Sequence, residues 1–217
     1  MERVPDELPL GRLEAFSDGV FAIAITLLVL DIRVEPSDYE DLLQALLDEW
    51  PAYLAYVTSF LTVGSVWLAH HNLFTHLRYV DPVLLRLNLL LLLAAGFLPF
   101  PTGVLAQALH ESDEAERTAI ILYGATALVI ELLLAAAVRY ALTRPDLTDV
   151  EPADAPPPQP HRAWREALNS ALYGVAILAG VFIFPKLATF GYLLVAIRGV
   201  LVIGGEGRLG LRGLLPR

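Results

Sequence analysis

Long apolar segments alternate with short polar ones along most of the chain. Each apolar segment is close to the roughly 20 helical residues that cross a bilayer core of about 30 Å. Leucine and alanine lie on all sides of these segments, without the strict alternation of a membrane β-strand. The pattern therefore predicts an all-α polytopic membrane protein with six transmembrane helices, at residues 15–32, 51–74, 83–108, 118–142, 167–184 and 187–204.

The composition agrees with this class of protein. Of the 217 residues, 56% are hydrophobic and 18% are charged, and the mean hydropathy is +0.56. A soluble domain carries about 25% charged residues. The net charge of −9 argues against a nucleic-acid partner, because binding to phosphates needs clustered Lys and Arg. The chain has no cysteine, which excludes disulfides and thiolate ligands, and we expect neither a metal site nor an organic cofactor.

The basic residues predict the orientation of the helices. If the N-terminus is cytosolic, only three of the 15 Lys and Arg residues lie in outer segments: Arg33, Arg117 and Lys186. The remaining 12 lie in inner segments, as the positive-inside rule requires. We therefore expect both termini to be cytosolic. Five prolines between positions 151 and 160 predict an extended cytosolic linker at residues 145–163, within one membrane domain that spans residues 1–217.

The first apolar segment carries an acid, Asp18, one turn inside the membrane. An ionisable group there costs at least about 2.5 kcal/mol on insertion, so it needs a partner or a function. Successive residues of an α-helix are rotated by about 100° around its axis. Three aliphatic residues therefore project within about 60° of one another: Ile23, Leu27 and Leu30. We call these three residues the aliphatic stripe. Asp18 points about 140° away from Ile23. The acid and the aliphatic stripe therefore face different neighbours.

The residues around Asp18 match a known signature. Arg12 and the run Phe16–Gly19 reproduce the pattern Arg-x-x-x-Phe-Ser-Asp-Gly, and in this the chain resembles the transmembrane protein 175 family. Three later segments are similar to the second and third helices of the bacterial members: Trp67–Phe74, Asn88–Leu93 and Phe97–Thr102. The resemblance extends over residues 10–105.

This resemblance implies a potassium-permeable channel and not an enzyme, with potassium ions as the permeant species. Bacterial members with one six-helix repeat are homotetramers, so the resemblance implies a homotetramer among the lipids of a bacterial inner membrane. The first helix of each subunit lines the pore of the family, and hydrophobic rings constrict it. By position, the constriction residues in this chain are Ile23, Leu27 and Leu30.

The resemblance also implies a polar network between helices or subunits, formed by Arg12, Ser17, Asp18, Trp67, His71 and Asn88. Gly19 is expected to allow a neighbouring helix to approach closely. Thr26 lies about 60° from Ile23, and its hydroxyl either meets the permeating cation or bonds its own backbone, so it is a secondary pore candidate.

Two other function classes remain open from the sequence. Glu131 is a second acid inside a predicted membrane helix, and a proton- or sodium-coupled secondary transporter needs such a residue. A small membrane-embedded enzyme or assembly factor is the third possibility, although the sequence offers no nucleophile paired with a base and no phosphate-binding loop.

Overall fold

The computed structural model describes residues 10–34, 36–109, 111–147 and 189–201. Its α-helices are α1 (Leu10–Leu27), α2 (Leu42–Asp48), α3 (Trp50–Phe74), α4 (Pro82–Phe97), α5 (Pro99–Ala108), α6 (Asp113–Leu142) and α7 (Thr189–Leu201). Three short 3-10 helices lie at Leu28–Asp31, Pro36–Asp41 and Pro145–Leu147. Within the described residues, this confirms the predicted all-α class.

Among the described residues, four helical stretches are long and apolar enough to cross a membrane: Leu10–Asp31, Trp50–Phe74, Pro82–Ala108 and Asp113–Leu142. They confirm the first four predicted spans. The predicted span at 167–184 lies outside the described residues, and of the span at 187–204 the structure describes α7, a shorter apolar helix. The predicted linker at 145–163 also lies mostly outside the described residues, and its first three residues form a 3-10 turn.

The third stretch is interrupted at Leu98, between α4 and α5. Pro99 and Pro101 have no backbone N–H, so neither can continue the helical hydrogen-bond ladder. The backbone forms a tighter turn there: the Leu98 N–H donates to the carbonyl of Ala95, three residues back, at 3.2 Å. The two prolines therefore separate the C-terminal part of this span, α5, from the rest.

The long helices pack side by side around a main apolar cluster, and two smaller clusters of apolar residues are also buried. Helix α6 lies along α4 and α5, α3 packs against α5, and α1 packs against both α3 and α4. Fully buried large side chains fill the centre, among them Phe21, Leu91, Leu105, Ile120 and Tyr123. Because lipid tails are as apolar as leucine, close packing and buried hydrogen bonds supply the association energy of such helices.

Buried hydroxyl groups join three of these helices, α3, α5 and α6. Ser59 on α3 and Thr102 on α5 have their hydroxyl oxygens 2.8 Å apart. The Ser59 hydroxyl also donates to the Tyr123 hydroxyl of α6 at 3.2 Å. Inside the membrane no water competes for these groups, so the cluster fixes the relative positions of α3, α5 and α6.

A charged cluster joins the start of α4 to the end of α6. Asp81 caps α4 by accepting from Leu84 N–H at 2.8 Å. Arg144, which follows α6, lies 3.4 Å from Asp81 and forms two hydrogen bonds of 3.0 and 2.8 Å with Asp146. Tyr79 also donates to Asp146, at 3.1 Å. The Arg144 guanidinium lowers the pKa of the Asp146 carboxyl to about 2. The turn before α4 is thereby tied to the end of α6.

Candidate functional site

Helix α1, which carries the Phe16–Gly19 signature, is packed on one side only in the protomer. Its other side bears the aliphatic stripe, where Ile23 is 61% exposed, Leu27 41% and Leu30 57%. The packed side contacts α3 and α4, and its buried residues recur every three or four positions: Leu13, Ser17, Phe21, Ala24 and Leu28. The stripe thus lies on the surface of the single protomer.

The C-terminal end of this helical stretch is wound more tightly than the rest. Residues Leu28–Asp31 form a 3-10 helix, which is followed by a hydrogen bond of 3.2 Å from Ile32 N–H to the Val29 carbonyl. Residues three apart are eclipsed in a 3-10 helix, whereas they differ by about 60° in an α-helix. Leu30 therefore stays close to the line of Leu27, and the stripe keeps its direction to the outer end.

Thr26 lies exposed beside the stripe. Its hydroxyl donates to the Ile23 carbonyl at 2.9 Å, which is the backbone bond expected of a threonine in a membrane helix. The hydroxyl oxygen keeps lone pairs that can accept another hydrogen bond or face a cation.

Asp18 has a partner in its own protomer. The indole Nε1 of Trp67 on α3 donates to Asp18 Oδ1 at 2.8 Å. His71, one turn further along α3, stacks on Trp67 with the ring centroids 5.9 Å apart and the planes at 24°. All three residues are exposed in the protomer. They form a polar surface of α1 and α3, which we call the Asp18 surface.

A second chain of hydrogen bonds runs inside the protomer. The Ser17 hydroxyl donates to the Leu13 carbonyl at 2.9 Å and accepts from Asn88 Nδ2 of α4 at 3.1 Å. Asn88 Oδ1 in turn accepts from His70 Nε2 of α3 at 2.7 Å. Ser17, Asn88 and His70 are at most 2% exposed. This buried chain connects α1, α3 and α4 at the level of the signature.

The histidine in the buried chain is His70, which the sequence analysis did not select. Its ring packs between Phe21, at a centroid distance of 5.3 Å, and Phe74, at 4.1 Å. The spacing of α3 contained a signal, because Val66, His70 and Phe74 continue one buried stripe at helical intervals. His71 follows the exposed Trp67 by four residues and lies on the Asp18 surface.

Arg12 and Gly19 lie on the exposed half of α1. No atom of another helix lies within 4 Å of the position that a Cβ on Gly19 would occupy. In the part of the chain that the structure describes, the space beside Gly19 is therefore open, and the close approach of another helix stays a prediction. Among the described residues, no group of three or more His, Asp or Glu side chains is arranged to hold a metal ion.

Known proteins resemble this chain over most of its length. Residues 12–99 match the family described as "Endosomal/lysosomal potassium channel TMEM175". A potassium channel of Streptomyces collinus is 43% identical over 185 residues, which is 84% of this chain and 88% of that protein. The crystal structure of a lysosomal potassium-selective channel TMEM175 homolog from Chamaesiphon minutus matches with a TM-score of 0.76 and 36% identity, over 89% of this chain and 97% of that chain.

Animal relatives match over a smaller part. The mouse protein named endosomal/lysosomal proton channel TMEM175 is 43% identical over 121 residues, which is 50% of this chain and 24% of that protein. The Streptomyces protein, by contrast, is matched over nearly its whole length. With its signature on α1 and its four apolar spans, the chain belongs to the TMEM175 family.

Proposed function

We propose that this protein is a potassium-permeable channel of a bacterial inner membrane, in which four identical chains surround one pore. The observation that carries the proposal is the exposed half of α1: the helix with the family signature is packed on one side, and its other side bears the aliphatic stripe. The relatives from Streptomyces collinus and Chamaesiphon minutus are both named potassium channels, which supports potassium as the permeant ion.

In this proposal, four copies of α1 stand around a common axis with the stripe facing inward. Cyclic symmetry then repeats Ile23, Leu27 and Leu30 as three stacked rings. A narrow ring of branched aliphatic side chains dewets and blocks ions, and the same ring conducts when it widens enough to hold water. Thr26 brings a hydroxyl group between the first two rings and is the secondary candidate for contact with the ion.

The proposed membrane topology has six spans, with both termini and the linker at 145–163 in the cytosol. In this topology the four described spans cross the membrane in alternating directions. Twelve of the 15 basic residues then lie on the inner side. The Arg144–Asp146 pair also lies at this inner surface, where water solvates it.

The Asp18 surface is proposed as the contact with a neighbouring subunit. Asp18 and Arg12 are both exposed on α1, and Gly19 leaves room there for another helix. A guanidinium of one subunit beside the carboxylate of the next would offset the burial of both charges. Asp18→Asn keeps an oxygen that accepts from Trp67 but removes the charge, so we expect fewer tetramers in detergent with little loss of protomer stability. A tetramer fraction equal to that of the parent would contradict this contact.

Potassium flux into liposomes tests the function. Purified protein should pass potassium down its own gradient with no proton or sodium gradient present, and strict dependence on a coupling ion would favour the transporter, for which the buried Glu131 is the candidate. Ile23→Ala and Leu27→Ala widen the rings and should raise the flux. Leu93→Ala is the matched control, because Leu93 is 71% exposed on α4, away from the signature helix. Equal potassium flux in all variants would show that the stripe does not line the pore.

A further inference from the structure

Helix α2 (Leu42–Asp48) is a short element that the packing of the protomer does not explain. None of its residues is buried. Four leucines are exposed on it, with Leu43 at 71%, Leu47 at 60%, and Leu42 and Leu46 at 41%. An exposed apolar surface of this kind on a membrane protein needs a partner that excludes water.

The apolar and polar residues of α2 are separated on opposite faces. At about 100° per residue, the four leucines fall within an arc of about 140°. Gln44 and Asp48 lie on the other face, where Gln44 Nε2 donates to Asp48 Oδ1 at 2.9 Å. The carboxylate of Asp41 accepts from Gln44 N–H at 3.4 Å and caps the first turn. The polar face therefore satisfies its own groups and suits contact with water, whereas the leucine face does not.

The position of α2 along the membrane normal is fixed by its attachment to α3. A single residue, Glu49, separates the two helices. The Tyr53 hydroxyl, in the first turn of α3, donates to the Leu46 carbonyl at 2.9 Å. Trp50, at the start of α3, is half exposed. Tryptophan and tyrosine at the end of a membrane helix mark the boundary between headgroups and acyl chains. The end of α2 is thus held at the depth of that boundary.

We propose that α2 is an interfacial helix whose leucine face lies in the boundary between headgroups and acyl chains of the outer leaflet. The segment 35–49 contains six acidic residues and no Lys or Arg, so the contact is apolar and does not depend on anionic lipids. A zwitterionic bilayer is the partner that fits this surface. The inference rests on the placement of α3 across the membrane and not on the ion that permeates.

Site-specific fluorescence tests this placement, because the natural chain has no cysteine to interfere. Single cysteines at Leu43 and Leu47 carry an environment-sensitive fluorophore, and cysteines at the exposed Gln44 and Asp48 serve as polar-face controls. The labelled proteins are reconstituted in phosphatidylcholine vesicles, with a nitroxide on the upper acyl chain of some lipids or with iodide on both sides. None of the four side chains is buried, so these substitutions remove no core contact.

We expect the lipid nitroxide to quench the Leu43 and Leu47 labels several-fold more strongly than the Gln44 and Asp48 labels, and iodide to show the reverse order. Protection of Leu43 and Leu47 from both quenchers would mean that the leucine face packs against protein, such as a second copy of the chain, and would overturn the proposal. Strong quenching of all four labels by iodide would place α2 in water and would overturn it as well.

Discussion

The indole N–H of Trp67 donates to Asp18 at 2.8 Å, so the acid inside the first membrane helix is paired within its own protomer. Hydrogen bonds to a charged group contribute about 1.5–3 kcal/mol to stability. Trp67→Phe removes the donor and keeps an aromatic ring. We expect this variant to lose about that much free energy of unfolding in detergent.

The matched control for this variant is Trp50→Phe. Trp50 lies half exposed at the outer end of the same helix, α3, so the two substitutions delete the same atoms in different surroundings. Comparable losses from the two variants would show that the bond to Asp18 adds nothing to stability.

The two adjacent histidines of α3 should differ in their effect on stability. His70 is 2% exposed and bonded to Asn88, and its loss leaves the buried amide without this partner. An unsatisfied buried polar group costs about 1–3 kcal/mol. His70→Ala should therefore lower the free energy of unfolding of the detergent-solubilised protein clearly more than His71→Ala, which changes an exposed ring.

The fraction of tetramer should be measured for the same pair of variants. If His71 belongs to a contact between subunits, His71→Ala lowers the tetramer fraction without a comparable loss of protomer stability. A larger loss of protomer stability from His71→Ala than from His70→Ala would contradict the buried chain.

The carboxylate of Asp31 occupies the space beside Gly103 of α5. A Cβ on Gly103 would lie 2.7 Å from Asp31 Cγ and Oδ1, closer than side chains pack. Gly103→Ala should destabilise the protein by about 1 kcal/mol, because it displaces this carboxylate from the end of the 3-10 turn. In an Asp31→Ala background the three nearest atoms are removed and the substitution gains helix propensity, so it should be neutral or stabilising.

A double-mutant cycle in thermal unfolding measures this coupling between Asp31 and Gly103. Gly64→Ala is the control, since nothing lies within 4 Å of its added Cβ. Additive effects of the two substitutions would mean that the outer end of α1 is not held against α5.

The predicted spans agree with the described helices where the lipid environment imposes one requirement, a continuous apolar surface. The predicted starts of the first and fourth helices were late, since α1 begins at Leu10 and α6 at Asp113. Both begin with a polar or charged turn that the apolar pattern excludes. In α6, Ser112 caps this turn by accepting from Ala115 N–H at 3.3 Å, and the acids that follow suit the positive end of the helix dipole.

The parts that sequence reasoning missed depend on packing that a one-dimensional pattern does not record. Helix α2 is only seven residues long and lies in an acidic segment, so it has no span-like signal. The burial of His70 follows from helical spacing, but its hydrogen bond to Asn88 required knowing which side of α3 faces α4. The 3-10 winding of Leu28–Asp31 gives no periodic signature over four residues.

The charged cluster of Asp81, Arg144 and Asp146 should make part of the protein's stability sensitive to acid. The Arg144 guanidinium lowers the pKa of Asp146 to about 2, below the value of about 3.9 expected in the unfolded chain. Because the folded pKa is the lower one, the stabilisation is fully present above about pH 4 and is lost as the pH falls towards 2. The Asp146→Asn variant lacks this stabilisation at every pH.

Thermal unfolding between pH 6 and 2 measures this effect. The melting temperature of the parent should exceed that of Asp146→Asn near pH 6, and the difference should vanish near pH 2. Glu114→Gln, a change at an exposed acid at the other end of α6, controls for the general effect of charge. A constant difference between the parent and Asp146→Asn across the range would contradict the assignment.

The central claim, that four copies of α1 surround the pore, is tested most directly by cross-linking at Ile23. Ile23→Cys places a single thiol on the stripe of a chain without cysteine, and Leu93→Cys places one on the exposed face of α4. After mild oxidation in liposomes, we predict a covalent dimer band and a loss of potassium flux for Ile23→Cys, both reversed by a reductant, and neither for Leu93→Cys. If Ile23→Cys gives no dimer and keeps its flux, while Leu93→Cys cross-links, the stripe does not face a common axis.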